Sequence, residues 1–472
     1  MPVYRRTGRG DQRGASLAQA IFPTVLTQFP MNADSDDPLI SHEPETEVPD
    51  PAGAAWQSAR AAGLAAAKAG DAAGAERHWR QALDLSEQFP DPDPRLAQSC
   101  EDLGGFYAQL GKYSDAVVLF RRALEVRETF VFPADLSVGE TLYQLGWSLW
   151  QSGRGREAEP IVRRAIPLAE TSHGPRSLRV AQLLNNLALI LAGTGEHDDD
   201  SEQEQLLREA LSIKEEVCGP SDPEVAGTLN NLALLHARRG DAAEAIDLLR
   251  RSLSIRQAAQ RPDHPDICET CANLGRMLLE QRRPAEAEPL LTQAAEYERD
   301  GARLSDVLEA LAAIRRSARD YAGALALMKR SLTIKEQRLG PSHADLAGTL
   351  SNLAGLLGVR GMFPEAEQAG NRALEIRRAV FGPESPAVVQ TLQNLARIAL
   401  RQGDFPRAES HLKEALVMVE HHAGPRHPMA ADVLEQMAGV VERRGDTRRA
   451  AGLRTRAASI REDAQDALLD EM

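Results

Sequence analysis

Residues 219–258 read GPSDPEVAGTLNNLALLHARRGDAAEAIDLLRRSLSIRQA, and this stretch decides the fold. Apolar residues recur every three or four positions on both sides of Gly240-Asp241, which is the spacing of two amphipathic helices. Glycine tolerates the left-handed conformation common at the end of a helix, and Pro223 suits a helix start because the first residues need no amide hydrogen. The stretch predicts helices near 224–238 and 243–258, joined by a tight turn.

The same hairpin recurs along the chain. One position holds a small residue in ten successive units, and six of the nine spacings between them are 42 residues. The ten residues are Ala82, Ala123, Ala165, Ala210, Ser252, Ala294, Ser331, Ala373, Ala415 and Ala457. A small residue repeated in this way is typical of stacked hairpins whose backbones approach closely. We therefore predict an all-α, right-handed α-solenoid (superhelix) of about ten helix-turn-helix units.

Two irregularities interrupt the period. The turn of the fourth unit, at 196–202, has three extra residues, and the junction between the sixth and seventh units, near Asp300-Gly301, is five residues short. We predict a change of curvature there, dividing the array into 53–300 (repeats 1–6) and 301–472 (repeats 7–10 with a C-terminal capping helix). The acidic turn lacks the ligand spacing of a calcium loop and is predicted to be solvated.

The N-terminal segment, 1–52, differs in composition from the rest. It is basic up to residue 30, and residues 31–52 then carry seven acids and no lysine or arginine. Few apolar residues combined with charge favour disorder, which we predict for this segment.

Composition excludes several classes of function. The net charge is −14 and no basic tract offsets it, which argues against nucleic-acid binding. No run of 18 apolar residues exists, so no membrane span is expected. The four cysteines, Cys100, Cys218, Cys268 and Cys271, do not pair by repeat position, which favours a reducing, cytoplasmic location.

No catalytic or cofactor motif is present. The chain has no Gly-x-Ser-x-Gly, no phosphate-binding Gly-x-x-x-x-Gly-Lys and no His-Glu-x-x-His, so we predict no enzyme and no cofactor. Cys268 and Cys271 have the spacing of half a zinc site, but no second pair of ligands follows. We therefore expect no metal, and two buried small residues one turn apart.

The repeat resembles a known family. Leu-x-x-Leu-Ala in the first helix, Gly-Asp in the turn and Ala-Leu-x-Ile in the second helix resemble the tetratricopeptide repeat. The longer period, the segment Thr-Leu-Asn-Asn-Leu-Ala at 228–233 and the loop Gly-Pro-Arg-His-Pro at 424–428 are similar to the kinesin-light-chain subtype. The resemblance covers about 53–465. It implies that the first helix of each hairpin lines a concave groove that holds a peptide or a partner protein.

The position before the conserved leucine of the first helix is polar in nearly every unit. It holds Asp102, Gln144, Asn186, Asn231, Asn273, Asn352, Asn394 and Gln436. Asparagine is a poor helix former, so five asparagines at one position need an explanation. The resemblance implies that these five contact the backbone of a bound peptide. Alternatively, each bonds to a neighbouring helix and maintains the stack, and one side chain can do both.

Aromatic and basic residues are the other candidates for the groove. Tyr143, Trp147 and Trp150 form one stripe on a first helix, which marks either an aromatic anchor for a ligand or part of the core. By repeat register Arg238, Arg397 and Arg401 also face inward. They could hold carboxylates, or they are solvated surface charge.

The predicted function is a non-enzymatic scaffold for protein–protein interaction, with a peptide or partner protein in the groove. One alternative is a regulator in which a bound peptide changes the superhelical pitch about the short junction. Another is an accessory subunit of an enzyme complex. A homodimer through the terminal repeats is a further hypothesis, because the alanine-rich first unit has little polar capping.

Overall fold

The computed structural model describes residues 50–129, 136–194, 200–299 and 301–470. These ranges contain twenty α-helices and no strand, in ten consecutive hairpins. The predicted all-α architecture of helix-turn-helix repeats is therefore confirmed. Residues 1–49, for which disorder was predicted, lie outside the described residues, and the first helix begins at Pro51.

The chain divides into two compact units between Pro262 and Asp263. Unit 1 contains ten helices. They are α1 (Pro51–Lys68), α2 (Ala72–Ser86), α3 (Pro94–Gln109), α4 (Tyr113–Thr129), α5 (Leu136–Gln151), α6 (Gly155–His173), α7 (Leu178–Thr194), α8 (Asp200–Cys218), α9 (Pro223–Arg239) and α10 (Ala242–Ala259). Odd numbers are the first helices of hairpins (A helices) and even numbers are the second (B helices). The hairpin predicted at 224–258 is α9–α10 and is confirmed to within one residue at each end.

Unit 2 contains the other ten helices. They are α11 (Pro265–Glu280), α12 (Pro284–Tyr297), α13 (Gly301–Ser317), α14 (Tyr321–Leu339), α15 (Leu346–Val359), α16 (Phe363–Phe381), α17 (Pro386–Gln402), α18 (Phe405–Ala423), α19 (Pro428–Arg443) and α20 (Thr447–Asp470). The boundary predicted at residue 300 falls inside this unit and stays a prediction. At that junction α12 and α13 are joined by a buried ion pair, with Arg303 Nη1 2.7 Å from Glu298 Oε2.

The turns follow from glycine and proline at fixed positions. Gly240 ends α9 with φ +92°, and Pro223 begins the helix after the Asp222 side chain accepts a hydrogen bond from the Glu224 amide. Two turns lack the glycine, and there Arg282 and Arg319 take positive φ angles of 57° and 62°. The predicted glycine turn at residue 195 lies outside the described residues.

Small residues allow the A and B helices to pack closely. All ten residues of the repeat position, from Ala82 to Ala457, are completely buried. Contact positions on the A helices also hold small residues. A Cβ added to Gly146 would lie 2.5 Å from Val162 Cγ2, and one added to Gly275 would lie 2.6 Å from Leu291 Cγ. A larger residue at these positions would force the two helices of the hairpin apart.

In each unit one glutamate forms hydrogen bonds that connect its hairpin to the next hairpin. We call each such group of side chains a polar latch. In unit 2 one oxygen of Glu309 in α13 accepts hydrogen bonds from Ser331 (2.9 Å) and Lys335 (2.7 Å) in α14 and from Thr349 (2.5 Å) in α15. In unit 1 Glu101 likewise binds Arg127 of α4, at 2.7 Å, and Thr141 of α5. Sequence analysis missed these latches, although their signal is a basic residue after Ile or Val in the B helices.

The B helices also carry a lattice of ion pairs, exposed in unit 1 and partly buried in unit 2. In unit 1 Arg121 lies 2.5 Å from Glu157 and Arg164 lies 2.6 Å from Glu128, each 36 residues apart in sequence. Unit 2 repeats the spacing. Its pairs are Arg372–Glu336, Arg378–Glu414 and Arg456–Glu420. Each pair of this B-helix lattice connects two consecutive B helices.

Candidate binding face on the A helices

The candidate site is the face of the A helices formed by the amide position and by the positions four before, three after and seven after it. We call this surface the A-helix face. The residues predicted to bind a ligand belong to it or adjoin it by repeat register, and their surroundings differ between the two units.

In unit 1 both asparagines of the amide position are buried. Asn186 and Asn231 are each 8% exposed. Asn231 Nδ2 donates to Asn185 Oδ1 of α7 at 2.9 Å and so connects two neighbouring A helices. A structural role is therefore present for Asn231, and the role of both side chains in binding stays a prediction.

In unit 2 the amides are paired with arginines one turn later. Asn273 Oδ1 accepts from Arg276 at 3.5 Å, and Asn394 Oδ1 accepts from Arg397. Because a guanidinium only donates, each amide turns its oxygen toward the arginine and its nitrogen, a donor, elsewhere. Asn352 of α15 is exposed. The polar residues before the conserved leucine thus recur along the A helices, but they differ in exposure and in their hydrogen-bond partners.

The residues of the aromatic stripe differ in their surroundings. Tyr143 and Trp150 are half-buried and pack against the core of unit 1, as the core interpretation predicts. The ring of Trp147 lies 5.2 Å from that of Trp150, between centroids. By register Trp147 is equivalent to Gly105 of α3, where an added Cβ would meet nothing within 4 Å. The A-helix face thus carries a large aromatic ring on α5 and no side chain at the equivalent position of α3.

A charged pair contacts Tyr143, the first residue of this stripe. The Arg179 guanidinium of α7 lies 4.5 Å from the centroid of the Tyr143 ring and 2.7 Å from Glu140 Oε2. Burial raises the pKa of Tyr143, and the nearby Arg179 charge opposes that rise. The hydroxyl therefore stays protonated and can donate a hydrogen bond at neutral pH.

The predicted arginines fall into two classes. Arg238 Nη2 donates to Gln203 Oε1 of α8 at 2.6 Å, and Gln203 is a buried residue at a position where the other nine units have alanine. Sequence analysis missed Gln203, whose signal is this break in the alanine pattern. Arg397 and Arg401 are exposed on α17, and no carboxylate in the described ranges forms an ion pair with either. Arg238 is also exposed, but part of its guanidinium is bound to Gln203 of the neighbouring helix.

Other candidate groups are buried. Cys268 and Cys271 are completely buried, as predicted. Burial raises the pKa of Cys268 to about 11 and that of Cys100 to about 12, so both thiols are protonated at neutral pH. His236, also buried, has Nδ1 3.4 Å from Asp241 Oδ2 and Nε2 3.8 Å from Glu204 Oε1. Within the described ranges no group of three His, Cys, Asp or Glu side chains could hold a metal ion.

No helix in the part of the chain that the structure describes combines the length and the apolar character needed to cross a membrane. Residues 196–199 of the acidic turn at 196–202 lie outside that part, and residues 200–202 belong to α8.

Comparison with known families identifies the repeats. A tetratricopeptide-repeat model matches residues 57–129, 204–258, 224–300, 303–379 and 345–421, and two further models of that repeat match 180–224 and 139–164. The chain belongs to the tetratricopeptide-repeat family. Recognition of this family from the repeat position and the turns is thereby confirmed. Membership of this family supports the role of a scaffold for protein–protein interaction.

Several solved tetratricopeptide-type structures are similar to the chain. A putative kinesin light chain of Podosopora anserina with nearly identical TPR-like repeats is 20% identical, with 43% of this chain and 97% of that one covered and a TM-score of 0.38. BtubC (BKLC) of P. vanneervenii is 21% identical, with 53% and 91% covered and a TM-score of 0.38. The apo form of RapI is 14% identical, with 60% and 97% covered and a TM-score of 0.46. No curated protein matches the chain.

Proposed function

We propose that this tetratricopeptide-repeat protein is a non-enzymatic scaffold whose A-helix face holds an extended peptide of a partner protein. The observation that carries the proposal is Trp147. It is half-buried, and the equivalent position of α3 is Gly105, whereas Trp56 and Trp79, elsewhere in unit 1, are almost completely buried. A large, partly exposed aromatic ring provides apolar area and a rigid contact for a partner side chain.

The distribution of charge supports the A-helix face over the B-helix face. Several arginines of the B helices already pair with glutamates of the neighbouring B helix. The A-helix face instead offers exposed amides and arginines, such as Asn352, Arg397 and Arg401. Amides offer both donors and acceptors to a peptide backbone. The cytoplasmic location and the homodimer stay predictions.

The proposal is tested by affinity capture from the lysate of the native host, with proteins quantified by mass spectrometry. Trp147→Ala should lose at least tenfold of a captured partner, because an aromatic anchor at an interface contributes about 2 kcal/mol or more. The matched control is Val118→Ala, which truncates an apolar side chain that is 67% exposed on the B helix α4. Circular dichroism establishes that each variant is folded.

The opposite pattern contradicts the proposal. A partner that is retained by Trp147→Ala and lost by Val118→Ala would place binding on the B helices. The double variant Asn231→Ala/Asn273→Ala separates the two roles of the amides. Reduced capture at an unchanged melting temperature indicates binding, and a lower melting temperature with normal capture indicates a structural role alone.

A further inference from the structure

We propose that α15, α17 and α19 of unit 2 bind an acidic segment of a partner protein, with Arg397 and Arg401 as the principal contacts. The inference rests on the proposed scaffold function and adds the place of contact and the chemistry of the ligand. The ligand groups are the side-chain carboxylates of aspartate and glutamate within a chain, rather than a terminal carboxylate.

The charge composition of these three helices is one-sided. α15 contains no charged residue, and the only charged residues of α17 are Arg397 and Arg401. α19 has three acids, but each is paired with an arginine of α20: Asp432 with Arg461 at 3.1 Å, and Glu435 and Glu442 with Arg454 at 3.4 and 2.6 Å. The uncompensated charge on this part of the A-helix face is therefore positive.

Four arginines here have no acidic partner. Arg360, Arg397, Arg401 and Arg443 are exposed, and none forms an ion pair with a carboxylate in the described part of the chain. Elsewhere in the same unit the half-buried arginines Arg372 and Arg378 do form such pairs. An acidic ligand would supply the carboxylates that the four arginines of this surface lack.

The repeat brings these arginines to one end of the helices. Arg401 and Arg443 occupy the same position 42 residues apart, and Arg360 follows the equivalent residue of α15. The backbone of α15 touches α17 between the two principal contacts, since a Cβ on Gly358 would lie 3.1 Å from Ile398 Cγ1. The C-terminal turns of α15 and α17 are thus adjacent.

The hydrogen-bonding groups of this surface are donors. Arg397 donates to Asn394 Oδ1, which leaves the amide nitrogen of Asn394 to donate elsewhere. A guanidinium has five N–H donors and no acceptor, and its fork matches the two oxygens of a carboxylate. A surface of this kind favours acceptor groups, which acidic side chains and peptide carbonyls both supply.

The neighbouring helix leaves room for a peptide backbone. Gly348 and Gly355 of α15 are exposed, and a Cβ on either would meet nothing within 4 Å. Asn352 lies between them and is exposed. Glycine is unfavourable inside a helix relative to alanine, and here packing gives no reason for it, whereas close approach of a ligand backbone does.

The test measures binding of a labelled decapeptide of alternating glutamate and serine, amidated at its C-terminus, to the full chain by fluorescence anisotropy. A second peptide has glutamine in place of glutamate. We expect the glutamate peptide to bind at low ionic strength, more weakly with added salt, and about tenfold more weakly to Arg397→Gln/Arg401→Gln. Arg330→Gln, which removes an exposed arginine from the B helix α14, should bind as the wild type does.

Two results would overturn the inference: equal binding of both peptides, or equal binding by the wild type and the Arg397/Arg401 variant. A third probe is the peptide of residues 31–50, whose seven acids lie in this chain itself. If it binds through Arg397 and Arg401 more tightly than the glutamate peptide, the occupant is internal and a partner segment is excluded.

Failure of this inference is distinguishable from failure of the scaffold proposal. If a captured partner is lost by Trp147→Ala but fully retained by Arg397→Gln/Arg401→Gln, the scaffold stands and the acidic ligand is wrong. If the partner is retained by both variants, the A-helix face is not the binding surface and both proposals fail. Loss from the Arg397/Arg401 variant, with Arg330→Gln unaffected and all variants folded, supports both.

Discussion

Arg319 holds a backbone conformation that glycine takes in most other turns of the chain. Its φ is 62°, in the left-handed region, which costs an L-residue about 1–2 kcal/mol. Glycine avoids this strain, although its greater freedom in the unfolded chain costs about 0.5–1 kcal/mol. We expect Arg319→Gly to raise the free energy of unfolding by about 0.5–1 kcal/mol, measured by urea unfolding.

The matched control reverses the substitution at another turn. Gly361 has a φ of 75°, and an added Cβ would meet nothing within 4 Å. Gly361→Ala should therefore lower the free energy of unfolding by about 1 kcal/mol through backbone strain alone. If both substitutions shift stability in the same direction, backbone conformation does not control the stability of these turns.

Glu309 should contribute more to stability than a typical ion pair of the chain. One of its oxygens accepts three hydrogen bonds, and it is the nearer of the two carboxylates that face Lys335, at 2.7 Å against 3.7 Å for Asp306. We expect Glu309→Gln to lower the free energy of unfolding by about 1–3 kcal/mol, since Lys335, which is 12% exposed, loses its nearer carboxylate. Glu128→Gln, in the exposed lattice pair with Arg164, should cost less than about 1 kcal/mol in the same urea titration. Equal losses would mean that burial does not distinguish the two carboxylates.

For single residues, the sequence predicted burial and backbone conformation better than it predicted hydrogen-bond partners. The burial of the ten small residues follows from their period, and the left-handed glycines follow from the turn. The hydrogen bond from Asn231 to Asn185 does not, because two adjacent asparagines of α9 could each have faced α7. The hydrogen bond between Arg238 and Gln203 could not be predicted either. The three-residue insertion before α8 shifts the alignment of the repeats, so the sequence does not show which residues of α8 and α9 are in contact.

Among helices, Glu409 joins α18 to α19 and α20. Its carboxylate, 6% exposed, is bound by Lys413 at 2.9 Å, by Arg449 at 2.7 Å and by Arg444 at 3.4 Å. The hydrogen bond from Lys413, followed by that from Arg449, holds the pKa of Glu409 below its ordinary value of 4.5. A carboxyl whose pKa is lower in the folded state binds more protons in the unfolded state as the pH falls, so its stabilisation is complete above about pH 4.5 and is lost in acid.

Glu409→Gln should therefore destabilise the protein by about 1–3 kcal/mol at neutral pH and by much less at about pH 3. Urea unfolding of the wild type and the variant at both pH values measures the change. Glu375→Gln, which removes an exposed carboxylate of α16, should leave stability nearly unchanged at both. A difference for Glu409→Gln that persists undiminished in acid would show that the side chain acts through packing and not through its charge.

The ends of helices were predictable where proline, glycine or a capping side chain occurs in the sequence. Pro223 and Gly240 fixed α9 to within one residue, and the histidines at helix entries act as caps, with His427 Nδ1 accepting from the Met429 amide at 3.2 Å. The polar latches were not predictable from one hairpin, because Glu101 and Thr141 belong to different hairpins and meet only after these stack. The division between Pro262 and Asp263 has no equivalent irregularity in the repeat spacing.

At the scale of the whole molecule, the four tryptophans provide a probe of one unit. Trp56, Trp79, Trp147 and Trp150 all belong to unit 1, whereas helical circular dichroism reports on both units. In repeat proteins stability is approximately a sum of terms for each repeat and its neighbours, so a local change need not reach distant repeats. We expect Glu309→Gln in unit 2 to shift part of the circular-dichroism transition in urea while leaving the tryptophan transition unchanged. Arg127→Met, which breaks the latch of unit 1, should shift the tryptophan transition. If Glu309→Gln moves both transitions equally, the two units unfold as one cooperative body, and the tryptophans report on the whole chain.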